Sequence, residues 1–317
     1  MLPLVIQVPL HQTTAPHGAP RHAFLVLGMH RSGTSAVTGV LGHLGLSLPS
    51  ELMRPNVDNP HGYFETWELA RLHNAILRSA GTRWDDWSPI AQSWFSSPAG
   101  AGYVAQINRY LEREFASASA FVIKDPRICR LVPIWREALE RSNAKPLIIL
   151  PLRHPDVVAQ SLMRRNGILP AESNLLWLRY ALDAERATRD LPRVFAVFDE
   201  LLDDWRAAVE GVARRLGVRW PIAPAEAAGA IESFLDRKLV HHRPGNDAPA
   251  GDGPAGELAI AAWHLFNEFA RGEESTFLHE RFDRLTDQLD RMPPPRQLPF
   301  GLEAISSPLA RRLRRLR

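Results

Sequence analysis

Cysteine is nearly missing from this chain: Cys129 is the single one among 317 residues. One thiol closes no intrachain disulfide and builds no thiolate metal cage. Charge of one sign is also scarce. The 38 Lys and Arg residues face 35 Asp and Glu, a formal net charge of +3. That balance gives no nucleic-acid footprint, and the small basic surplus suits an anionic ligand. No stretch approaches the ~20 apolar residues of a membrane-spanning helix. The opening segment MLPLVIQVPLHQTTAPHGAP has no basic start, and its apolar run is short for a secretory signal. A reducing, cytoplasmic setting is the resulting expectation. Histidines are scattered, and only His241 and His242 are adjacent. Sequence neighbours rarely ligate one metal, so no metal site is expected.

What is present is an ordinary globular composition, 45% hydrophobic and 23% charged, in a chain long enough to bury a sizeable core. Short apolar runs at Phe24–Leu27, Phe121–Lys124, Pro146–Leu152 and Val194–Phe198 read as strands. Helical spacing appears between them, over Trp67–Ser79, Tyr103–Phe115, Pro133–Arg141, Pro155–Arg165, Glu172–Arg189 and from the fourth strand to about Leu216. Pro133 marks the first turn of its helix. This alternation predicts an α/β fold: a doubly wound parallel sheet of about four or five strands flanked by helices. Residues 1–22 read as a loose arm, 23–290 as one α/β domain with a helical part at 257–290, and 291–317 as a basic tail. Residues 49–66 and 244–256 read as loops.

The most informative stretch is FLVLGMHRSGTSAV, Phe24 to Val37. An apolar strand runs into Gly28, and helical spacing resumes at Val37, Val40, Leu41 and Leu44. Strand, glycine loop and helix present backbone N–H groups to a phosphate at a helix N-terminus. Gly28-x4-Gly33 followed by Thr34-Ser35 nearly completes the triphosphatase loop GxxxxGK[ST], but Thr34 stands where that loop needs lysine. The absent lysine argues against ATP or GTP hydrolysis. The cation sits earlier, at Arg31. A second motif is PLRHPDVVAQSLMRR, Pro151 to Arg165: a central strand delivers Arg153 to its C-terminal edge, where open α/β sheets bind ligands, and Ser161 lies eight residues on. A third, FVIKDPRICR, brings Lys124, Asp125 and Arg127 to the same edge.

The glycine loop resembles the 5′-phosphosulfate loop of the sulfotransferase family, which uses 3′-phosphoadenosine 5′-phosphosulfate (PAPS). The second motif is similar to that family's 3′-phosphate site, and the KDPR segment is similar to bacterial, carbohydrate-directed members. The resemblance covers roughly residues 24–243. It implies a PAPS-dependent enzyme, without a metal, that moves the sulfuryl group to a hydroxyl acceptor, with adenosine 3′,5′-bisphosphate as product. The acceptor implied is a small molecule or glycan, including a glycolipid. Ser32, Gly33, Thr34 and Ser35 would hold the 5′-phosphosulfate with Arg31, which also stabilises the bridging oxygen. Arg153 and Ser161 would hold the 3′-phosphate. Arg243, in a late basic segment that departs from the family's RKG pattern, would close over it. The attacking hydroxyl must lose a proton. Glu65, in a GYFE segment that looks like bacterial relatives, is the expected base, with His61 as the alternative, Lys124 assisting and His30 donating to substrate or phosphate.

Other readings stay open at this stage. Glu65 or Glu68 can serve the helix start by charge–dipole interaction, and Lys124, Asp125 and Arg127 can form a structural ion network. Trp84, Trp87 and Trp94 can line an acceptor groove or simply fill core. The tail LARRLRRLR puts Leu309, Leu313 and Leu316 on one helical face, a form able to meet anionic lipid. A P-loop kinase and a non-catalytic nucleotide-binding protein are the rival functions.

Overall fold

The computed structural model describes residues 21–56, 62–235, 253–272 and 274–293. The chain order is β1 (Arg21–Val26), α1 (Thr34–His43), α2 (Trp67–Ser79), α3 (Gln92–Phe95), α4 (Pro98–Phe115), β2 (Ala120–Lys124), α5 (Ile128–Arg141) and β3 (Ala144–Leu152). It continues with α6 (Pro155–Asn166), α7 (Pro170–Ala187), β4 (Arg193–Val197), α8 (Phe198–Asp203), α9 (Trp205–Leu216), α10 (Pro224–Phe234), α11 (Pro254–Arg271) and α12 (Thr276–Asp290). Among the described residues no helix is long and apolar enough to cross a membrane.

The four strands form one parallel sheet in the order β2-β1-β3-β4. Their residues alternate between two apolar layers. Ala23, Leu25, Phe121, Ile123, Ile148, Leu150 and Phe195 point into one layer, packed by α4, α5, α7, α11 and α12. Phe24, Val26, Val122, Leu147, Ile149 and Val194 point into the other, covered by α1, α9 and α10. Two-faced burial is why the strands read as continuous apolar runs rather than alternating ones. The fold is α/β and doubly wound, as the sequence predicts. The strand order reverses at β1, so the crevice between the C-terminal ends of β1 and β3 is the topological switch point where such sheets bind ligands.

Several elements differ from the sequence expectation. β1 starts at Arg21, inside the span read as an arm, because Arg21 and His22 already donate backbone bonds to Asn143 and Ser119. α5 starts five residues before Pro133, which is an internal proline. Asp125, Pro126 and Arg127 carbonyls accept from Ile128, Cys129 and Arg130 and wind the first turn, and burial of Ile128, Leu131 and Val132 outweighs the bond that Pro133 cannot donate. The helix after β4 breaks at Asp204, whose carboxylate caps α9 through Ala207 N–H at 3.0 Å. The span 257–290 contains two helices, α11 and α12, because Ser275 caps the second. The sequence reading contains no α10, although Pro224 at its first turn and Ala227, Ile231 and Phe234 at helical spacing encode it. Phe234 packs on Gly39 of α1, where a Cβ would lie 2.2 Å from its ring.

Candidate active site

The loop between β1 and α1 reverses direction with two residues of positive φ, Arg31 (72°) and Gly33 (84°). Gly33 is the N-cap of α1, so Thr34, Ser35 and Ala36 form the first helical turn, whose N–H groups have no carbonyl one turn upstream. All three line a cleft of about 160 Å³. Gly33 is also required by packing: a Cβ there would sit 2.2 Å from Phe198 Cδ2. Gly33→Ala is therefore expected to destabilise the fold by about 2–5 kcal/mol, from left-handed backbone strain plus overpacking. Gly81→Ala, also at positive φ but with no atom of the described residues within 4 Å of its Cβ, keeps only the strain. Denaturant unfolding of the two variants checks the contrast, and equal destabilisation would remove the packing role.

Arg31, Arg153 and Arg165 line the cleft. Arg31 Nε donates to Ser161 Oγ at 2.7 Å, and Arg153 Nη1 donates to the Arg31 carbonyl at 3.1 Å. Thus the second motif meets the glycine loop through side chains 130 residues apart. Burial, with Arg31 and Arg164 adding to it, pushes the Arg153 guanidinium down to about 10, against the pull of Asp199. It stays charged at neutral pH, in surroundings that favour an added anion. Ser161 is occupied by Arg31 and so acts on the site through that arginine in this geometry. Ser32, within the loop, is 1% exposed and its N–H donates to the Met29 carbonyl at 3.1 Å, and it is not among the groups lining the cleft; its buried Oγ has no partner among the described residues.

In the same cleft, Lys124 Nζ lies 2.5 Å from Glu65 Oε1, with both side chains buried. Thr66 caps α2 by accepting from Leu69 N–H, so Glu65 precedes the helix and does not serve its dipole; Glu68 occupies the first turn and pairs with Arg113 at the surface. Burial pushes the Glu65 carboxyl above the usual carboxylate range; Lys124 opposes this, and the negative charge of Asp125 adds to it. Asp125 is fully buried. Burial works to raise its carboxyl, but Arg127, then His73, outweigh it and hold the group well below the usual range. Trp135 Nε1 donates to His73 Nε2, which assigns the ring proton to Nδ1, 3.3 Å from Asp125. Asn74 accepts from Arg127 Nε at 2.9 Å. Asp125 and Arg127 therefore form a structural ion network directly behind Lys124. His30 lines the cleft beside Trp84; burial, then Arg127 and Arg165, push its ring well below its ordinary range, so it is neutral at pH 7.

The cleft thus gathers Arg31, Gly33, Thr34, Ser35, Glu65, Lys124, Arg153 and His30. Arg243 and His61 lie outside the described residues, as do His241, His242 and the basic tail. Tyr63, Arg165, Phe198, Leu202 and Phe234 also line the cleft and carry no role in the sequence reading. Arg165 stacks on Tyr63 at 5.6 Å, and the Tyr63 carbonyl accepts from Ser35 Oγ at 3.2 Å. Arg165 ends the quoted second motif, and Phe198 directly follows the fourth strand, so both positions carried a signal. Trp87 belongs to the core. Its indole donates to Pro293 O, and the surrounding loop is pinned by Arg130 on Asp86 O and Ser88 O, Arg179 on Trp87 O and Tyr180 on Trp84 O. Trp94 packs partly against the same core.

No family model matches this chain, and no curated protein matches it. Among solved structures, it is similar to the sulfotransferase domain from the Synechococcus PCC 7002 olefin synthase, at 19% identity and TM-score 0.43 over 91% of this chain and 99% of that one. It is also similar to the sulfotransferase domain from the curacin biosynthetic pathway, at 16% identity and TM-score 0.40 over 87% of this chain and 99% of that one.

Proposed function

We propose that this chain is a sulfotransferase that uses PAPS to sulfate a hydroxyl acceptor, a small molecule or the sugar of a glycan or glycolipid. The observation that carries the reading is the arrangement of one cleft at the switch point. It brings together a helix N-terminus, the Arg31–Ser161–Arg153 cluster and a buried carboxylate–ammonium pair. The donor set fits a ligand with two anionic groups: the first turn of α1 with Arg31 suits one, and Arg153 suits the other.

PAPS would supply the sulfuryl group, and the acceptor hydroxyl the attacking oxygen. Glu65 takes the hydroxyl proton as the new oxygen–sulfur bond forms, while the bond from sulfur to the 5′-phosphate oxygen breaks with its electron pair kept by the phosphate. A carboxylate lifted by burial is a stronger base than one in water. Proton uptake neutralises Glu65 and frees the Lys124 ammonium to face the negative charge on the departing oxygen. Arg31 and the first-turn N–H groups of α1 stabilise the same charge, and such fixed charge is usually the largest catalytic contribution. Arg153 fixes the donor through its 3′-phosphate, and Ser161 holds the Arg31 side chain in place.

A phosphotransferase is the alternative, and one observation favours it: Lys124 places a lysine in the cleft although the loop has none. Isothermal titration separates the two. Adenosine 3′,5′-bisphosphate is expected to bind in preference to adenosine 5′-monophosphate and to ATP–magnesium. Equal binding of all three, or preference for ATP–magnesium, would move the phosphotransferase to first place. Transfer from labelled PAPS to a panel of hydroxyl acceptors then names the acceptor, and bisphosphate binding with no transfer to any of them favours a non-catalytic protein.

A further inference from the structure

β3 and β4 pair in register up to Leu152 and Val197. The next residues, Arg153 and Phe198, therefore stand side by side at the sheet edge. The Arg153 guanidinium carbon lies 4.9 Å from the Phe198 ring centroid. The same ring is in close packing with Gly33, the N-cap of α1. Phe198 is thus wedged between the residue that starts the phosphate-loop helix and the arginine at the end of β3. It lines the cleft and also forms a wall of a second, apolar cavity of about 430 Å³ between α9 and the sheet.

A guanidinium stacked on an aromatic face keeps its charge and loses much of its freedom, leaving its in-plane N–H edge to meet a phosphate. A further contact, Nη1 to the Arg31 carbonyl, comes from the phosphate loop itself. Among the contacts that hold Arg153, these two refer it to the glycine loop. An arm fixed this way reads the separation between two anionic groups rather than the presence of one.

We infer that Phe198 is a positioning residue that sets Arg153 at a fixed distance from the first turn of α1 and so makes the site selective for a nucleotide carrying both a 5′- and a 3′-phosphate. The inference rests on the donor-site reading given above. It assigns to an uncharged side chain a share, exerted through Arg153, of the discrimination between adenosine 3′,5′-bisphosphate and adenosine 5′-monophosphate.

The test uses the full chain and both nucleotides. Phe198→Ala would open the wall between the two cavities and confuse packing with positioning, so Phe198→Leu and Phe198→Tyr are the informative variants. Leucine fills most of the space but has no aromatic face, whereas tyrosine keeps it. Titration calorimetry is expected to show Phe198→Leu binding the bisphosphate about tenfold more weakly, with monophosphate affinity unchanged, the size of a desolvated cation–π contact. Phe198→Tyr is expected to keep the wild-type preference. A purely structural role would weaken both nucleotides equally in Phe198→Leu, and that result overturns the inference, as does a Phe198→Leu protein with undiminished preference. Thermal melts of each variant establish that it is folded. A wild-type protein without any bisphosphate preference would instead count against the donor-site reading itself.

Discussion

Replacing Glu65 by glutamine is expected to lower the rate of sulfuryl transfer about 10²–10⁴-fold, the usual contribution of a positioned general base. Affinity for adenosine 3′,5′-bisphosphate should stay at the wild-type level, because the proposed phosphate contacts come from Arg153 and the first turn of α1, whereas Glu65 is engaged with Lys124. The pH profile carries the mechanism. Burial raises the Glu65 carboxyl, and only the ionised form accepts a proton. The wild-type rate should therefore climb with pH along a limb that lies above the ordinary carboxylate range, and Glu65→Gln should lose that limb. The stability sign runs the opposite way. A carboxyl raised in the folded state favours folding below its unfolded pKa, and this contribution is lost as pH rises through the folded value. Wild-type stability should fall over the interval in which activity appears, and the variant should lack this component. The glutamine oxygen still accepts a bond from Lys124, so the ammonium keeps a partner, although a buried pair broken outright costs about 3–5 kcal/mol. A folded Glu65→Gln protein with wild-type rate and an intact acid limb would place the base elsewhere.

Removing the Arg153 guanidinium should have the largest effect on binding. Arg153→Ala is expected to lower bisphosphate affinity ~100-fold or more, the loss of two charge-assisted bonds to one phosphate. Adenosine 5′-monophosphate should bind the variant as it binds wild type, since it has no 3′-phosphate for the arginine to hold. Arg153→Lys should recover only part of the loss, because an ammonium keeps the charge but lacks the planar fork and stacks less well on Phe198. The wild-type preference should also shrink with added salt, though less than for a fully exposed charge, as Arg153 is half-buried. Calorimetry at two salt concentrations measures each of these. Equal weakening for both nucleotides in Arg153→Ala would show that Arg153 supports the loop instead of reading the 3′ position.

Sequence patterns made the fold legible where local chemistry is strong. The apolar runs of β1, β2, β3 and β4 are buried on both faces, so their strand character survives without knowledge of the neighbours. Thr66 at the cap of α2 and Pro155 at the first turn of α6 mark those helix starts in the residues themselves. Local signals failed where a distant partner overrode them. Pro133 looks like a helix start, yet α5 begins earlier because its first turn is buried against the sheet. The short helix α10 is a weak periodic pattern until Phe234 meets Gly39 and Phe64 on other elements. The tryptophans of the 84–94 region read equally as groove or core in the sequence, and the choice came from outside it: buried Arg130 and Arg179 bind the carbonyls of that loop, and Trp87 lies in the core.

The sequence alone determined the glycine loop between a strand and a helix, the absence of the triphosphatase lysine at Thr34, and the delivery of Arg153 and Lys124 to strand ends. Each of these is set within about one turn or one strand of chain. Only the tertiary structure decided the pairings: Glu65 with Lys124 across 59 positions, Arg31 with Ser161 across 130, and Phe198 beneath Arg153. The reason is physical. Propensity and turn chemistry act between neighbours in sequence. By contrast, which strand ends stand side by side depends on the order and register of the whole sheet, and burial of both its faces selects that order.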